Sequence, residues 1–431
     1  MYFFSFKKCL VFLILVGLIF TIGKLVYFQE KVFEVDSISK KNSLKIKETK
    51  TKKREKAKIK INPPKIVKGI YLTGWSAANN RKIEEIIRLK KQDRINTVVI
   101  DIKDWSGYVF YDTKVKEVEE YKAKKILIKN IEEFLNNLHQ QGIYVIGRIV
   151  VFQDPVLARA RKDLALKRHS QKDILWRDNL KLSWVDPSSI EVWKYNLKIA
   201  KDALEKGFDE INFDYIRFPS DGNLKEIDYP FWNKKKSKQE VIKSFFKYLR
   251  ENLGTSTLSI DVFGMTTVRN DDLGIGQVLE DAFEYFDYIC PMVYPSHFES
   301  GFLGYKNPAK HPYQVVKYCM ENALKKLIVY SSTSLAVSTS SYSSLSTSSC
   351  STSSYPTSSY SHTLKYTEKK TSKKKKFSKI RPWLQDFDLK AKYNIEMVKA
   401  EIKGIKDALG ENFSGFLLWN PKNIYTIKSL Q

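Results

Sequence analysis

Cysteine is scarce. The four in this chain, Cys9, Cys290, Cys319 and Cys350, show neither paired spacing nor a metal-ligand pattern, which argues against a disulfide framework. Histidine is scarce too, five in 431 residues with no pair at metal-binding spacing, so no metal and no other cofactor is expected. After the first apolar strand, "LTGWSAAN" is not a Gly-rich phosphate loop, which weighs against a dinucleotide-type open sheet. Acidic residues are short in two stretches: sixteen Lys/Arg face five Asp/Glu over residues 1–65, and nine face one over 364–381. Those stretches hold most of the net charge of +26 and leave about +7 for the remainder, an ordinary surface. With no recognisable nucleic-acid motif, no nucleic-acid partner is expected.

What is present divides the chain into an anchor, a tether and one large domain. Lys7 and Lys8 precede an apolar run from Cys9 to Phe28, broken only by Lys24, and about 20 such residues are needed to span a bilayer. No small-residue cleavage site follows, so residues 1–29 read as a signal anchor that crosses the membrane over 9–28. Its basic flank puts the N-terminus inside and the rest of the chain on the extracytoplasmic side, as a single-pass membrane protein. The alternative is a cleaved signal and a secreted protein. Residues 30–64 are Lys-rich and too poor in large apolar groups to fold alone, which makes them a basic linker. Residues 331–379, rich first in Ser/Thr and then in Lys, read as a disordered insert.

Between Lys65 and Gln431, β-rich runs alternate with helical periods. The strand candidates begin at Gly69, Asn96, Ile143, Phe208, Leu258, Asp287, Leu327 ("LIVY") and Ser414. Helical stretches such as "IEEIIRLKKQ" from Ile83 and "IEMVKAEIKGIKDAL" from Ile395 separate most of them. Eight strands with intervening helices predict a (β/α)8 TIM barrel over 65–431, expected as a monomer, with a doubly wound sheet as the alternative. In a barrel, polar groups at the C-terminal strand ends share one cleft. That accounts for "GFDEINFDYIRFP" (207–219), a core strand carrying Asn212, Asp214 and Arg217. The same test selects Asp101, Lys103 and Asp104 on the second strand, Arg148 on the third and Asp261 on the fifth. Tyr294 and His297 follow the sixth strand, and Trp419 and Asn420 end the eighth.

Paired carboxylates suit glycoside hydrolysis, one protonating the leaving oxygen while the other attacks or activates water. Asp214 is the first candidate, as nucleophile, base or stabilising carboxylate, or else it is a structural ion pair with Arg217 or Arg148. Asp261, Asp101 and Asp104 are candidate proton donors. The expected substrate-binding groups are Trp75, Arg148, Asn212, Tyr215, Arg217, Tyr294, His297, Trp383, Gln385 and Trp419, with Trp105 a further aromatic. Two other readings stand beside the hydrolase: a carbohydrate-binding or wall-associated protein that keeps an inactive cleft, and a polyanion binder acting through the basic linker and insert.

The fourth-strand run resembles that of the chitinase-type barrels of glycoside hydrolase family 18. Asp209 and Asp214 match its aspartates, Asn212 replaces one, and Ile216 stands where that signature has its glutamate acid. A closer resemblance is to the bacterial glycosyl hydrolase barrels of domain of unknown function 4015. It is carried by "KGIYLTGWSA" (68–77), "VIDIKDWSGYVFYDT" (99–113), "PMVYPSHF" (291–298), "IRPWLQDFD" (380–388) and the long block around the fourth strand (184–222). This resemblance covers about residues 66–425. It implies a barrel of carbohydrate-active ancestry. The leading reading is a hydrolase whose expected substrate is a polysaccharide or cell-wall glycan.

Overall fold

The computed structural model describes residues 59–343 and 378–430, with side chains excluded over 334–343. The expected anchor (1–29), most of the linker and residues 344–377 of the expected insert lie outside the described residues. Among the described residues no helix is long and apolar enough to cross a membrane.

Eight strands pair in parallel and close on themselves: β1 (Val67–Leu72), β2 (Thr97–Lys103), β3 (Tyr144–Val150), β4 (Glu210–Asp214), β5 (Thr257–Phe263), β6 (Tyr288–Met292), β7 (the runs Lys379–Ile380 and Trp383–Gln385) and β8 (Gly415–Trp419). Closure is direct, because β1 pairs with β2 on one side and β8 on the other, Gly69 lying opposite both Thr97 and Leu417. Among the described residues six long helices cover the outside: α1 (Asn80–Lys91), α2 (Ile131–Gln140), α3 (Ile190–Lys206), α4 (Lys238–Leu253), α6 (Pro312–Ser343) after β6 and α7 (Ile395–Leu409) after β7, with a short α5 (Leu279–Ala282) after β5. Their starts are locally encoded. Asn79 and Asn394 accept backbone N–H groups at the heads of α1 and α7, and Ser237 with Glu240 forms a capping box on α4.

Two expectations need correction. The run "LIVY" is not the seventh strand; it lies within α6. Val316, Cys319, Met320, Ala323 and Leu327 are buried at helical spacing, whereas Ile328 and Val329 are more than half exposed, so only one face of the run is covered. A short apolar run does not reveal its period, and a barrel strand would bury both faces. The seventh stave is "KIRPWLQ", disguised because Pro382 has no N–H for the ladder and splits it in two. The expected insert boundaries move with it: residues 331–343 continue α6, and Lys379 belongs to β7.

The lower barrel explains the other charges around β4. Asp209 accepts from His139 Nε2 (2.9 Å), Val145 N (2.8 Å) and Ile61 N (3.1 Å), tying α2, β3 and the incoming chain together. Inside the barrel, Glu210 is paired with Arg381 of β7 and accepts from the Tyr144 hydroxyl (3.1 Å). A buried carboxylate so paired avoids the several kcal/mol an isolated one would cost.

Closure also depends on Gly415, at φ 110°, where an added Cβ would lie 2.0 Å from the Val67 carbonyl oxygen. Gly415→Ala is therefore expected to cost more than about 3 kcal/mol, near the upper range for single substitutions. Urea unfolding measures it, and a loss below about 1 kcal/mol would contradict this account of closure.

Candidate active site

Alternation along the strands turns Tyr71, Asp101, Arg148, Asn212, Asp214, Asp261, Trp383 and Trp419 toward the barrel axis, near the C-terminal ends of their staves. Arg148 is the hub. Its Nη1 donates to Asp101 Oδ1 and its Nη2 to Asp214 Oδ2, both at 2.5 Å, while Nε lies 3.7 Å from Asp261 Oδ2. All four side chains are almost wholly buried. One guanidinium thus draws together carboxylates from three strands, and its planar fork suits that work better than an ammonium would. Burial opposes the charge on Arg148, but Asp101 and Asp214 outweigh it and push its pKa well above the ordinary value. Trp419 and Tyr71 stack on each other at 3.9 Å, and their rings lie 5.2 and 5.7 Å from the guanidinium carbon.

The three carboxylates differ in their surroundings. Asp214 Oδ1 accepts from the N–H of Tyr215 (2.6 Å). Tyr215 holds φ at 53°, a left-handed conformation costly for a non-glycine residue, and so turns the chain sharply after the strand. Asp261 Oδ1 accepts from Asn212 Nδ2 (2.8 Å) and Trp383 Nε1 (2.7 Å). Burial, followed by the charge of Asp214, pushes Asp261 up to about 8, which favours its protonated form. Asp101 accepts from the Tyr71 hydroxyl (2.5 Å) as well as from Arg148; burial still carries it up to about 6.

Of these groups Arg148, Asp214 and Asp261 border a cavity of about 410 Å³, within the usual size range for small-ligand sites. Asp214, Asp261, Arg148 and Arg217 supply its polar surface. Tyr215, Tyr294, His297, Trp383 and Trp419 form much of the wall. Arg217 is not the ion-pair partner of Asp214. Its guanidinium sits between the rings of Trp184, Phe263 and Tyr215 at 4.8, 4.9 and 5.1 Å, and donates to the Phe218 carbonyl and Ser220 Oγ. The His297 ring packs on Tyr294 and Phe387, and burial lowers its pKa, which leaves it neutral at pH 7.

Several predicted site residues lie elsewhere. Asp104 does not reach the cluster; it accepts from Ser106 N (2.9 Å) and folds its own loop. Lys103 is turned away by a bulge between Asp101 and Lys103, which breaks the alternation and sends its ammonium to Asp154 (2.8 Å) and the Val150 carbonyl. Trp75 is 59% exposed outside the cavity, with Lys125 over its face. Trp105 is likewise exposed and does not line it. Asn212 and Gln385 are buried supports: Asn212 orients Asp261, and Gln385 accepts from Ser296 N (3.1 Å) to hold the loop carrying His297. Asn420 donates to the Asp386 and Ile424 carbonyls and braces the end of β8. Ile216 is fully buried among core residues, so nothing stands in for the family 18 glutamate at that position. Sequence reasoning missed Tyr71 together with the wall residues Phe263, Met265, Met292 and Phe298. Alternation in "GIYLTGW" places Tyr71 inward, but a buried tyrosine reads as core until its hydroxyl partner is known.

Comparison with known proteins bears on the family and the fold. A 39% identical hypothetical protein from Ruminiclostridium thermocellum aligns with 48% of this chain and 98% of its own, at a TM-score of 0.42. The PgaB (BpsB) glycoside hydrolase domain from Bordetella bronchiseptica is 11% identical, and the match covers 83% of this chain and 95% of that one with a TM-score of 0.53, a likeness of fold. No curated protein matches the chain. The family model DUF4015, described as "Putative glycosyl hydrolase domain", matches residues 69–334 and 329–425. Spanning nearly the whole barrel, that match makes this chain a member of the domain of unknown function 4015 family of glycosyl hydrolase barrels.

Proposed function

We propose that the protein hydrolyses a polysaccharide outside the cytoplasmic membrane, with Asp214 as nucleophile or general base and Asp261 as proton donor. The observation that carries this reading is a pair of unlike carboxylates on neighbouring strands, β4 and β5, bordering one aromatic-walled cavity. Asp214 faces two donors, as an acceptor should, while burial and the neighbouring negative charge favour the protonated form of Asp261. A carboxyl whose protonated form is favoured beside one that accepts hydrogen bonds on both oxygens suits the acid and base roles of a glycosidase. Trp419, half-buried in the wall, offers surface against which a sugar ring can pack, and Tyr294 lines the same cavity as both acids. Asp101 and Tyr71 act through Arg148 by fixing its orientation. The extracytoplasmic location rests on the apolar run over residues 9–28 behind Lys7 and Lys8.

The rival reading is an inactive cleft that binds glycan, and it draws on the engagement of both Asp214 oxygens by Arg148 and Tyr215. Incubation of the full chain with cell-wall and plant glycans, scored by new reducing ends, separates the two: binding without cleavage across the panel selects the rival.

For the hydrolase, activity should fall as the pH rises through about 8, where Asp261 loses its proton. Asp261→Asn should lower turnover of an unactivated glycan roughly 10²- to 10⁴-fold. Aryl glycosides, whose leaving groups need no proton, should keep most of their rate in this variant and lose the alkaline limb. An alkaline limb that persists in Asp261→Asn would assign the donor elsewhere.

A further inference from the structure

We propose that the glycan is anionic, and that a basic cavity on the rim of the cleft holds a negatively charged group on a sugar beyond the reacting one. This rests on the glycan-cleft reading above and adds the chemical class of the substrate. A second cavity of about 550 Å³ adjoins the first, and Phe298 lines both. Its basic wall is Lys306, Lys310 and His311 from the loop after β6, with Lys390 from the loop after β7. The two loops are tied by Asn307, whose Nδ2 donates to the Lys390 carbonyl (2.8 Å) and whose Oδ1 accepts from Ala309 N (3.1 Å). The His311 ring stacks on Tyr305 at 3.8 Å. Directly after His311, α6 begins, so the partial positive charge of a long helix start lies at the same wall.

The charge here is not neutralised from within. Among the described residues no ion pair engages Lys306, Lys310 or Lys390. The acids in these two loops are Glu299, Asp386 and Asp388; Asp386 is buried and accepts from Thr426 N (2.7 Å), and Asp388 accepts from Tyr393 N (2.7 Å). Inside the cleft, Arg217 is a buried cation wrapped by aromatic faces, with no carboxylate at ion-pair distance among the described residues. Positive groups therefore line a path from Arg217 past Phe298 to the three lysines. Ammonium groups read charge rather than shape, so the ligand chemistry is a sugar-borne anion, carboxylate or phosphate. Attraction to such a polymer would draw it along the rim and into the cleft.

The test compares the full chain with a Lys306→Gln/Lys310→Gln/Lys390→Gln variant. All three side chains are exposed, so equal thermal melting is the control for folding. Binding is measured by calorimetry with an oligogalacturonate, a glycerol-phosphate-bearing glycan and a neutral xylan oligosaccharide, and cleavage of each is scored in parallel. The parent should bind one of the two anionic glycans about tenfold more tightly than the neutral one, and the variant should lose that advantage without change on the neutral ligand. About 0.5 M salt should abolish the preference, as expected for exposed charges. The basic segments 30–64 and 364–377 are common to both proteins, so the difference between them reports the cavity alone. Which anionic glycan responds identifies carboxylate or phosphate. Equal binding by parent and variant to both anionic ligands, or no preference over the neutral one, overturns the proposal. Lysine-dependent binding without cleavage would uphold it and remove the hydrolase reading instead.

Discussion

Asp214→Asn is expected to reduce glycan hydrolysis at least roughly 10²- to 10⁴-fold while leaving glycan affinity within a few-fold. The substitution keeps the volume but removes the charge and half of the acceptor capacity. Whichever way the amide is turned, its NH2 group faces a donor, either Arg148 Nη2 or the Tyr215 N–H. A stability loss of about 1–3 kcal/mol should accompany the lost turnover. Assay well below the melting transition separates the two effects. Affinity survives because the cavity walls, Trp419 and Tyr294 among them, are untouched. Unchanged turnover would take Asp214 out of the mechanism, and a parallel loss of binding would make it a structural residue.

Arg148→Met should cost about 3–5 kcal/mol of stability, because it leaves buried carboxylates without their cation. The pH dependence gives the sharper test. Asp101 and Asp261 already have folded pKa values of about 6 and about 8, above the ordinary aspartate value of about 4, with burial the first cause in each. Between the unfolded and folded values the native state holds more protons than the unfolded one. Stability from these groups therefore declines as the pH rises from about 4 through about 8. Removing the guanidinium raises the folded values further. The deficit of the variant should thus be largest near pH 8 and shrink toward pH 4.5, where protonation relieves the repulsion. Urea unfolding at both values measures it, and a pH-independent deficit would mean that Arg148 matters for packing and not as a counter-charge.

Much of the barrel is legible in the sequence because its staves announce themselves locally. The runs around Val98, Val145, Ile289 and Leu417 are largely apolar on both faces, as strands covered by helices must be, and those around Ile211 and Ile260 keep an apolar outer face. "KIRPWLQ" escapes this rule because Pro382 and a charged Arg381 interrupt it, and Arg381 is buried only by virtue of Glu210 across the barrel. "LIVY" misleads for the converse reason: four apolar residues fit either period, and only α6 as a whole shows which face is covered.

The sequence by itself determined which residues end every stave but the seventh and, through alternation, that Asp101, Asp214 and Asp261 point inward; side-chain direction follows from the strand's own twofold period. Tertiary structure alone decided that Arg148, not Arg217, binds Asp214, that Lys103 is turned outward by a bulge, and that Asp261 is buried beside Asp214, which favours its protonated form. Those outcomes depend on which charges meet and how deeply they are buried. Both are set by closing the barrel, which brings residues more than a hundred positions apart to within a few ångströms.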